Sequence, residues 1–404
     1  MKDFYSKYRS DESWLIREDG WVRSLQPIRE TQLALGNGFL GSRAVLEEIP
    51  YDATPGTYIA GLYDRIGSQV TELVNLPNPF NFKMMLKGEK LGVITMDVLN
   101  HARVLDLRQG ILTRHTVFMD SKKKRYDYQS LRFVSSHNKN IGVMQVILTP
   151  LDDNAKVSIE TGIDTSVYNA GTVTEGRKKH FRVKELGQFD NEGYIIVQTF
   201  SKQNFVIIRS GFYYETLGKK TLAEDNVFEL ELKKGQTVTF TKIFYIDTVS
   251  KGDDLEKMKK SSEKGFRKSL SLSFNKLLKR HTKAFRALSD MGEVSIWGDP
   301  ESEKNTRFNV YHMLICARED GGLSSIGARG LSGEGYHGHI FWDAEIFVLP
   351  FYLYTIPEVA RNMLVYRYNR LDAARAIARK HGYKGAMFPW ESACTGVDET
   401  PGWA

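Results

Sequence analysis

Two short clusters in the last quarter of the sequence set a large flat ring beside a carboxylate. The first is Gly333-Glu-Gly-Tyr-His-Gly-His-Ile-Phe-Trp-Asp-Ala-Glu345, in which Trp342 precedes Asp343. The second is Phe388-Pro-Trp-Glu391, in which Trp390 precedes Glu391. A ring of this kind covers the C–H face of a sugar, and the neighbouring acid accepts hydrogen bonds from its hydroxyls. Adjacent side chains diverge by about 100° on a regular helix, so Trp342 and Asp343 address one ligand only from a helix start or the loop before it. The glycine-rich run from Gly327 to Gly338 supplies such a loop. A plainer reading stands beside this one: Asp343 caps the helix beginning at Ala344, and Trp342 fills core. Pro389 biases Phe388 towards an extended backbone, which makes the second cluster a loop as well. There too the plainer reading is a core tryptophan with Glu391 in the first turn of a helix.

Other chemistry is less well supported. His337-Gly-His339 could chelate a metal, but two histidines without a third ligand more often make hydrogen bonds. Glu334, Glu345, Asp398 and Glu399 are further carboxylates nearby. Glu345 could share a face with Trp342, although a solvated helix face is its ordinary fate. No Walker A phosphate loop is present. The Gly36-Asn-Gly38 and Gly41 group lacks the strand-to-helix context of a dinucleotide fingerprint and reads as turns.

The elements that must position these clusters fall into two regions. From Leu33 to about Thr248 the signals are strands and turns. Phe228, Leu230 and Leu232 alternate with charged residues, Lys234-Gly235-Gln236 makes a turn, and Val238, Phe240, Phe244 and Ile246 continue the alternation. That pattern predicts a hairpin with one buried face. Further strands are expected at residues 143–148, 157–159, 195–197 and 205–208, and so many without helices between them imply a large antiparallel β-sandwich. After Asp253 the period changes. Phe266, Leu270, Phe274, Leu277, Leu278, His281, Phe285 and Leu288 form one helical apolar stripe, a helical linker between two domains. From about Glu301 helices dominate, with Pro350 bending or ending one, Pro357 opening another and Gly382 stopping the last.

At 404 residues, with 41% hydrophobic and 26% charged residues, the chain reads as globular and two-domain. No apolar run approaches the roughly 20 residues of a membrane-spanning helix. The start lacks the apolar core of a secretory signal, and two cysteines, Cys316 and Cys394, make no disulfide framework. A reducing, cytoplasmic setting is expected. Residues 251–290 hold 12 Lys/Arg against 5 Asp/Glu, a difference equal to the +7 of the whole chain. A charge confined to one helical stretch reads as a solvated face, with neither nucleic acid nor membrane as partner.

The run from Gly330 to Glu345, with Leu349-Pro-Phe-Tyr-Leu-Tyr354 and Ala360-Arg-Asn-Met-Leu364, resembles glycoside hydrolase family 65, the inverting disaccharide phosphorylases and their relatives. Leu35-Gly-Asn-Gly-Phe-Leu-Gly-Ser-Arg43 and Tyr58-Ile-Ala-Gly-Leu-Tyr63 are similar to its β domain, so the resemblance spans the whole chain. Lys384-Gly-Ala-Met-Phe-Pro-Trp-Glu-Ser-Ala393 with Thr400-Pro401 looks closer to kojibiose-type than to maltose-type members. The resemblance implies a β-sandwich (super-sandwich) domain over 1–252, a helical linker over 253–300 and, over 301–404, the first portion of an (α/α)6 barrel. It implies inverting phosphorolysis of an α-glucosyl disaccharide to β-glucose 1-phosphate, with inorganic phosphate as co-substrate and no cofactor or metal. Trp342 and Asp343 match the family's pair that binds the glucosyl ring, and Trp390 and Glu391 would help line the same pocket. The family's proton donor is expected beyond Ala404, so no catalytic residue is assigned and the chain alone is expected to be inactive. Dimerisation through the β domain is common among such phosphorylases. Two other readings remain: an inverting α-glucosidase of the same family, and a non-catalytic carbohydrate-binding protein.

Overall fold

Long alternating segments between Asp97 and Val249 build one very large antiparallel sheet. The computed structural model describes residues 3–51, 53–67, 69–170, 176–189, 192–222 and 227–402, so the expected boundary at Ala404 lies outside the described residues. In spatial order the sheet runs Leu15–Asp19, Asp97–Asp106, Ile111–Met119, Arg125–Val134, Ile141–Pro150, Val238–Val249, Phe205–Thr216, Glu192–Thr199 and Phe181–Phe189, with Lys219–Leu222 attached to the seventh of these. A smaller sheet, Val227–Leu232, Ala155–Glu160, Lys83–Leu86 and Glu89–Lys90, faces it. Phe82, Phe212, Phe228 and Phe240 meet between the layers with ring centroids 5.3–5.8 Å apart. Phe82, Phe212 and Phe240 are buried there, and each such ring stabilises the fold by roughly 1.5–3 kcal/mol.

The expected hairpin over 228–246 is not one. Val227–Leu232 pairs with Ala155–Glu160 in the small sheet, whereas Val238–Val249 pairs with Ile141–Pro150 and Phe205–Thr216 in the large one. The Lys234-Gly235-Gln236 turn therefore carries the chain from one layer to the other. Alternation records only that each strand buries one face, and a hairpin and an inter-layer arch satisfy it equally.

The helical stripe after Asp253 is divided into two helices, Leu255–Leu270 and Phe274–Met291. Ser273 ends the continuity, its side chain accepting from the Lys276 N–H as an N-cap. Both helices cover the outer face of the large sheet, where Phe266, Phe274, Leu277 and Leu278 pack with Phe133, Ile141, Val143 and Ile243. Burial pushes His281 down to about 4, and its ring stacks on Phe133 at 4.5 Å. The next helix, Pro300–Leu314, lies against the β domain through Tyr311, whose hydroxyl donates to the Ala34 carbonyl at 2.9 Å. Short helices then follow at Ala344–Phe347, Leu349–Thr355, Pro357–Tyr368 and Leu371–Lys380. Pro350 stands at the start of the second of these four, ending the first, and Gly382 takes a left-handed φ of 78° after the last.

Candidate sugar-binding site

Both aromatic–acid clusters are brought to one place by a two-stranded sheet with two residues in each strand. Ile340–Phe341 pairs antiparallel with Glu391–Ser392, placing Phe341 opposite Glu391. One residue further out, the Trp342 N–H donates to the Trp390 carbonyl at 3.2 Å. The two indoles stand 5.5 Å apart, tilted by 58°, and Phe341 meets Trp390 edge-on at 5.8 Å. Trp342 is 44% and Trp390 48% exposed, so neither is a core residue. Asp343 stands at the start of Ala344–Phe347 but makes no side-chain cap. Its backbone carbonyl accepts from Ile346 and Phe347, while its carboxylate has no hydrogen bond or ion pair among the described residues. Capping therefore does not account for this acid.

Glu391 points the other way. Beside the half-exposed Trp390, Glu391 is only 5% exposed. Its Oε2 lies 2.7 Å from Nδ1 of His339, and Nε2 of the same ring lies 2.6 Å from the Thr71 carbonyl of the β domain. Both ring nitrogens therefore lie within hydrogen-bond distance of protein oxygens. His339 thus serves as a strut rather than a metal ligand, and among the described residues no group of three or more His, Cys, Asp or Glu could hold a metal ion. Glu345, expected on a solvated face, forms a forked pair with Arg367 at 2.8 and 3.0 Å. Arg367 also donates to the Phe341 carbonyl at 2.7 Å and to Ser392 Oγ at 3.2 Å, tying both short strands to the helix behind them.

Asp343 and Phe341 border a hollow of about 420 Å³, whose other walls include Arg329, Ser332, Phe347 and Cys316. Burial pushes the Cys316 thiol up to about 11, which leaves it protonated at neutral pH and a poor nucleophile. The tryptophans stand beside this hollow, outside its lining. The arrangement offers stacking faces, one unpartnered carboxylate and an arginine, the groups that bind a neutral polyol.

The sequence matches two family models, the glycosyl hydrolase family 65 N-terminal domain over residues 16–288 and the family 65 central catalytic domain over residues 307–404. The chain belongs to glycosyl hydrolase family 65. Among its family 65 relatives, it is 34% identical over 410 residues to the kojibiose phosphorylase of Thermoanaerobacter brockii, covering 98% of this chain and 53% of that one. It is 34% identical to the kojibiose phosphorylase of Escherichia coli K12, over 92% of this chain and 49% of that one. To the α,α-trehalose phosphorylase of T. brockii it is 29% identical, over 94% and 53%. The chain spans about half the length of the curated relatives it matches. A solved structure from the human microbiome, provisionally named a kojibiose phosphorylase, superimposes with a TM-score of 0.86 at 22% identity, over 98% of this chain and 54% of that one. At that identity the likeness is one of fold. No helix among the described residues is long and apolar enough to cross a membrane.

His339, Thr71 and Arg367 are the residues that sequence reasoning did not single out as part of this site. The His337-Gly-His339 spacing draws attention to His339 for metal binding, but nothing local marks the Thr71 carbonyl, 268 positions away, as its partner.

Proposed function

We propose that this chain carries the glucosyl-binding part of an inverting α-glucoside phosphorylase, acting on a kojibiose-type disaccharide and inorganic phosphate to give β-glucose 1-phosphate and a free sugar. The observation that carries this reading is the half-exposed Trp342–Trp390 pair, 5.5 Å apart and adjoining a carboxylate without a protein partner. On this reading Trp342 and Trp390 together offer a ring surface to one C–H face of the glucosyl ring, and Asp343 accepts from its hydroxyls. Glu391 acts from behind as a positioning residue. Residues 1–252 form the sandwich domain, 253–300 the linker, and 301–404 a portion of the (α/α)6 barrel.

The chemistry is a single inverting displacement. An acid protonates the glycosidic oxygen as its bond to C1 breaks, and a phosphate oxygen forms a bond to C1 from the opposite face. Phosphate thus stands where inverting hydrolysis uses a base-activated water. The carboxylates around the tryptophans are poor candidates for the acid: Glu391 is committed to His339, Glu345 to Arg367, and Glu399 accepts from the Thr71 N–H. We assign the proton donor and the phosphate ligands to none of them. Calorimetry with glucose tests the site: binding is expected, and Trp342→Ala should weaken it at least about tenfold. A titration without heat, or one that Trp342→Ala leaves unchanged, removes the assignment. Incubation with kojibiose and phosphate is expected to release no glucose 1-phosphate, and its release would place the proton donor within this chain.

A further inference from the structure

The turn before the first tryptophan is strained. Tyr336 and His337 are consecutive non-glycine residues in the left-handed region, at φ 57°, ψ 35° and φ 56°, ψ 11°, and Gly338 follows at φ 68°. Left-handed backbone brings Cβ against the following carbonyl; His enters that region more readily than most residues, but a bulky Tyr does not. The β domain imposes the geometry. A β-carbon on Gly338 would come 2.4 Å from Leu73 Cβ, and the Gly338 carbonyl accepts from the Tyr63 hydroxyl at 2.6 Å. The His339 N–H closes the turn on the Tyr336 carbonyl at 2.9 Å.

This geometry pushes Tyr336 outward. Its ring is 58% exposed, edge-on to Phe341 at 5.6 Å, and Phe341 in turn meets Trp390. The row of rings therefore continues past the tryptophan pair to Tyr336. Gly335 and His337, the residues flanking Tyr336, line a second hollow of about 320 Å³ together with Glu334, Tyr168 and Arg329. Arg329 also lines the hollow that Asp343 borders, so the two adjoin, and its guanidinium lies 5.6 Å from the Tyr336 ring centre. Glu334 accepts from the Tyr58 hydroxyl and the Ala170 N–H, which leaves lone pairs on both oxygens. An exposed tyrosine alone is ordinary, but backbone strain held in place by a neighbouring domain concentrates at ligand sites.

We propose that Tyr336 is a specificity-determining contact for the second sugar of the substrate, the leaving-group hexose. Its ring covers one face of that sugar, while Arg329 and Glu334 take its hydroxyls in the second hollow. The proposal rests on the reading of Trp342 and Trp390 as the glucosyl site.

Calorimetric titration of the full chain with glucose and with kojibiose separates the two ideas. Tyr336→Gly, which suits left-handed backbone, should not lower the melting temperature and should leave glucose affinity within about twofold. It should weaken kojibiose at least about tenfold, the loss of one aromatic stacking face. Tyr336→Phe keeps the platform and should hold kojibiose affinity within about threefold. If Tyr336→Gly binds kojibiose as the wild type does, the Tyr336 assignment falls while the glucosyl site stands. If the wild type gives no heat with either sugar, both fall together.

Discussion

Replacing His339 by alanine strands a buried charge, and the size of the effect follows from the geometry. His339 is fully buried and bridges the Glu391 carboxylate at 2.7 Å and the Thr71 carbonyl at 2.6 Å. Removing one member of a buried pair costs about 3–5 kcal/mol, because the remaining charge keeps its desolvation without its partner. Glu391→Gln is gentler: it keeps the shape and exchanges a charge-assisted hydrogen bond for a neutral one, about 1–2 kcal/mol. In the double variant no charge is stranded, so its cost should fall short of the sum by about 2 kcal/mol. Urea unfolding followed by tryptophan fluorescence measures all three midpoints. Because Trp390 immediately precedes Glu391, glucose affinity should fall in His339→Ala as well. A single-variant cost below about 1 kcal/mol, or strict additivity, would refute the claim that this bond holds the tryptophan strand.

Two other outcomes follow from the structure. Arg367→Lys keeps the charge but loses the fork on Glu345 and its bonds to the Phe341 carbonyl and Ser392, so a destabilisation of about 1–3 kcal/mol with weaker glucose binding is expected. Equal glucose affinity in that variant would show that the tryptophans do not depend on the brace. Acid should unfold the β domain through Glu47: burial alone would raise its carboxyl, but Arg114 and Arg132 hold it at about 2. With the folded value below the unfolded one, this stabilisation is complete above the ordinary carboxylate range and is lost as pH falls from about 4.5 through 2. Melting temperatures measured from pH 7 to 2 should decline over that window, with a shallower slope in Glu47→Gln, and a flat profile would contradict it.

Strands were legible wherever side chains simply alternate. The segments expected at 143–148, 157–159, 195–197 and 205–208 lie inside Ile141–Pro150, Ala155–Glu160, Glu192–Thr199 and Phe205–Thr216. Layer membership was not legible, because alternation is blind to whether the next strand lies beside or above, and a hairpin over 228–246 fits the pattern as well as the inter-layer arch that forms. The residue types at the tryptophan cluster were visible, but their division was not. Which of Trp390 and Glu391 faces outward is set by His339, 52 positions earlier, and no local pattern contains it. Tyr336 was hidden for a similar reason. A glycine-rich run announces a loop, whereas the left-handed turn is imposed through Tyr63, 275 positions from its partner Gly338.

The β domain therefore does more than sit beside the tryptophan pair. The strands that adjoin the tryptophans are two residues each, and a pair that short is marginal by its own ladder bonds. Its definition comes from a closed circuit of buried groups. The Thr71 carbonyl accepts from His339, His339 binds Glu391, the Glu391 carbonyl accepts from the Glu399 N–H at 3.0 Å, and the Glu399 carboxylate accepts from the Thr71 N–H at 2.9 Å. Both backbone polar groups of one β-domain residue, the N–H and the carbonyl of Thr71, are thus bonded from the helical region. Opening the circuit at any one side chain strands a buried partner elsewhere in it, so the cost falls on the whole loop rather than on one bond. The spacing and tilt of the two indoles are, on this argument, a property of the contact between the domains and not of either domain alone.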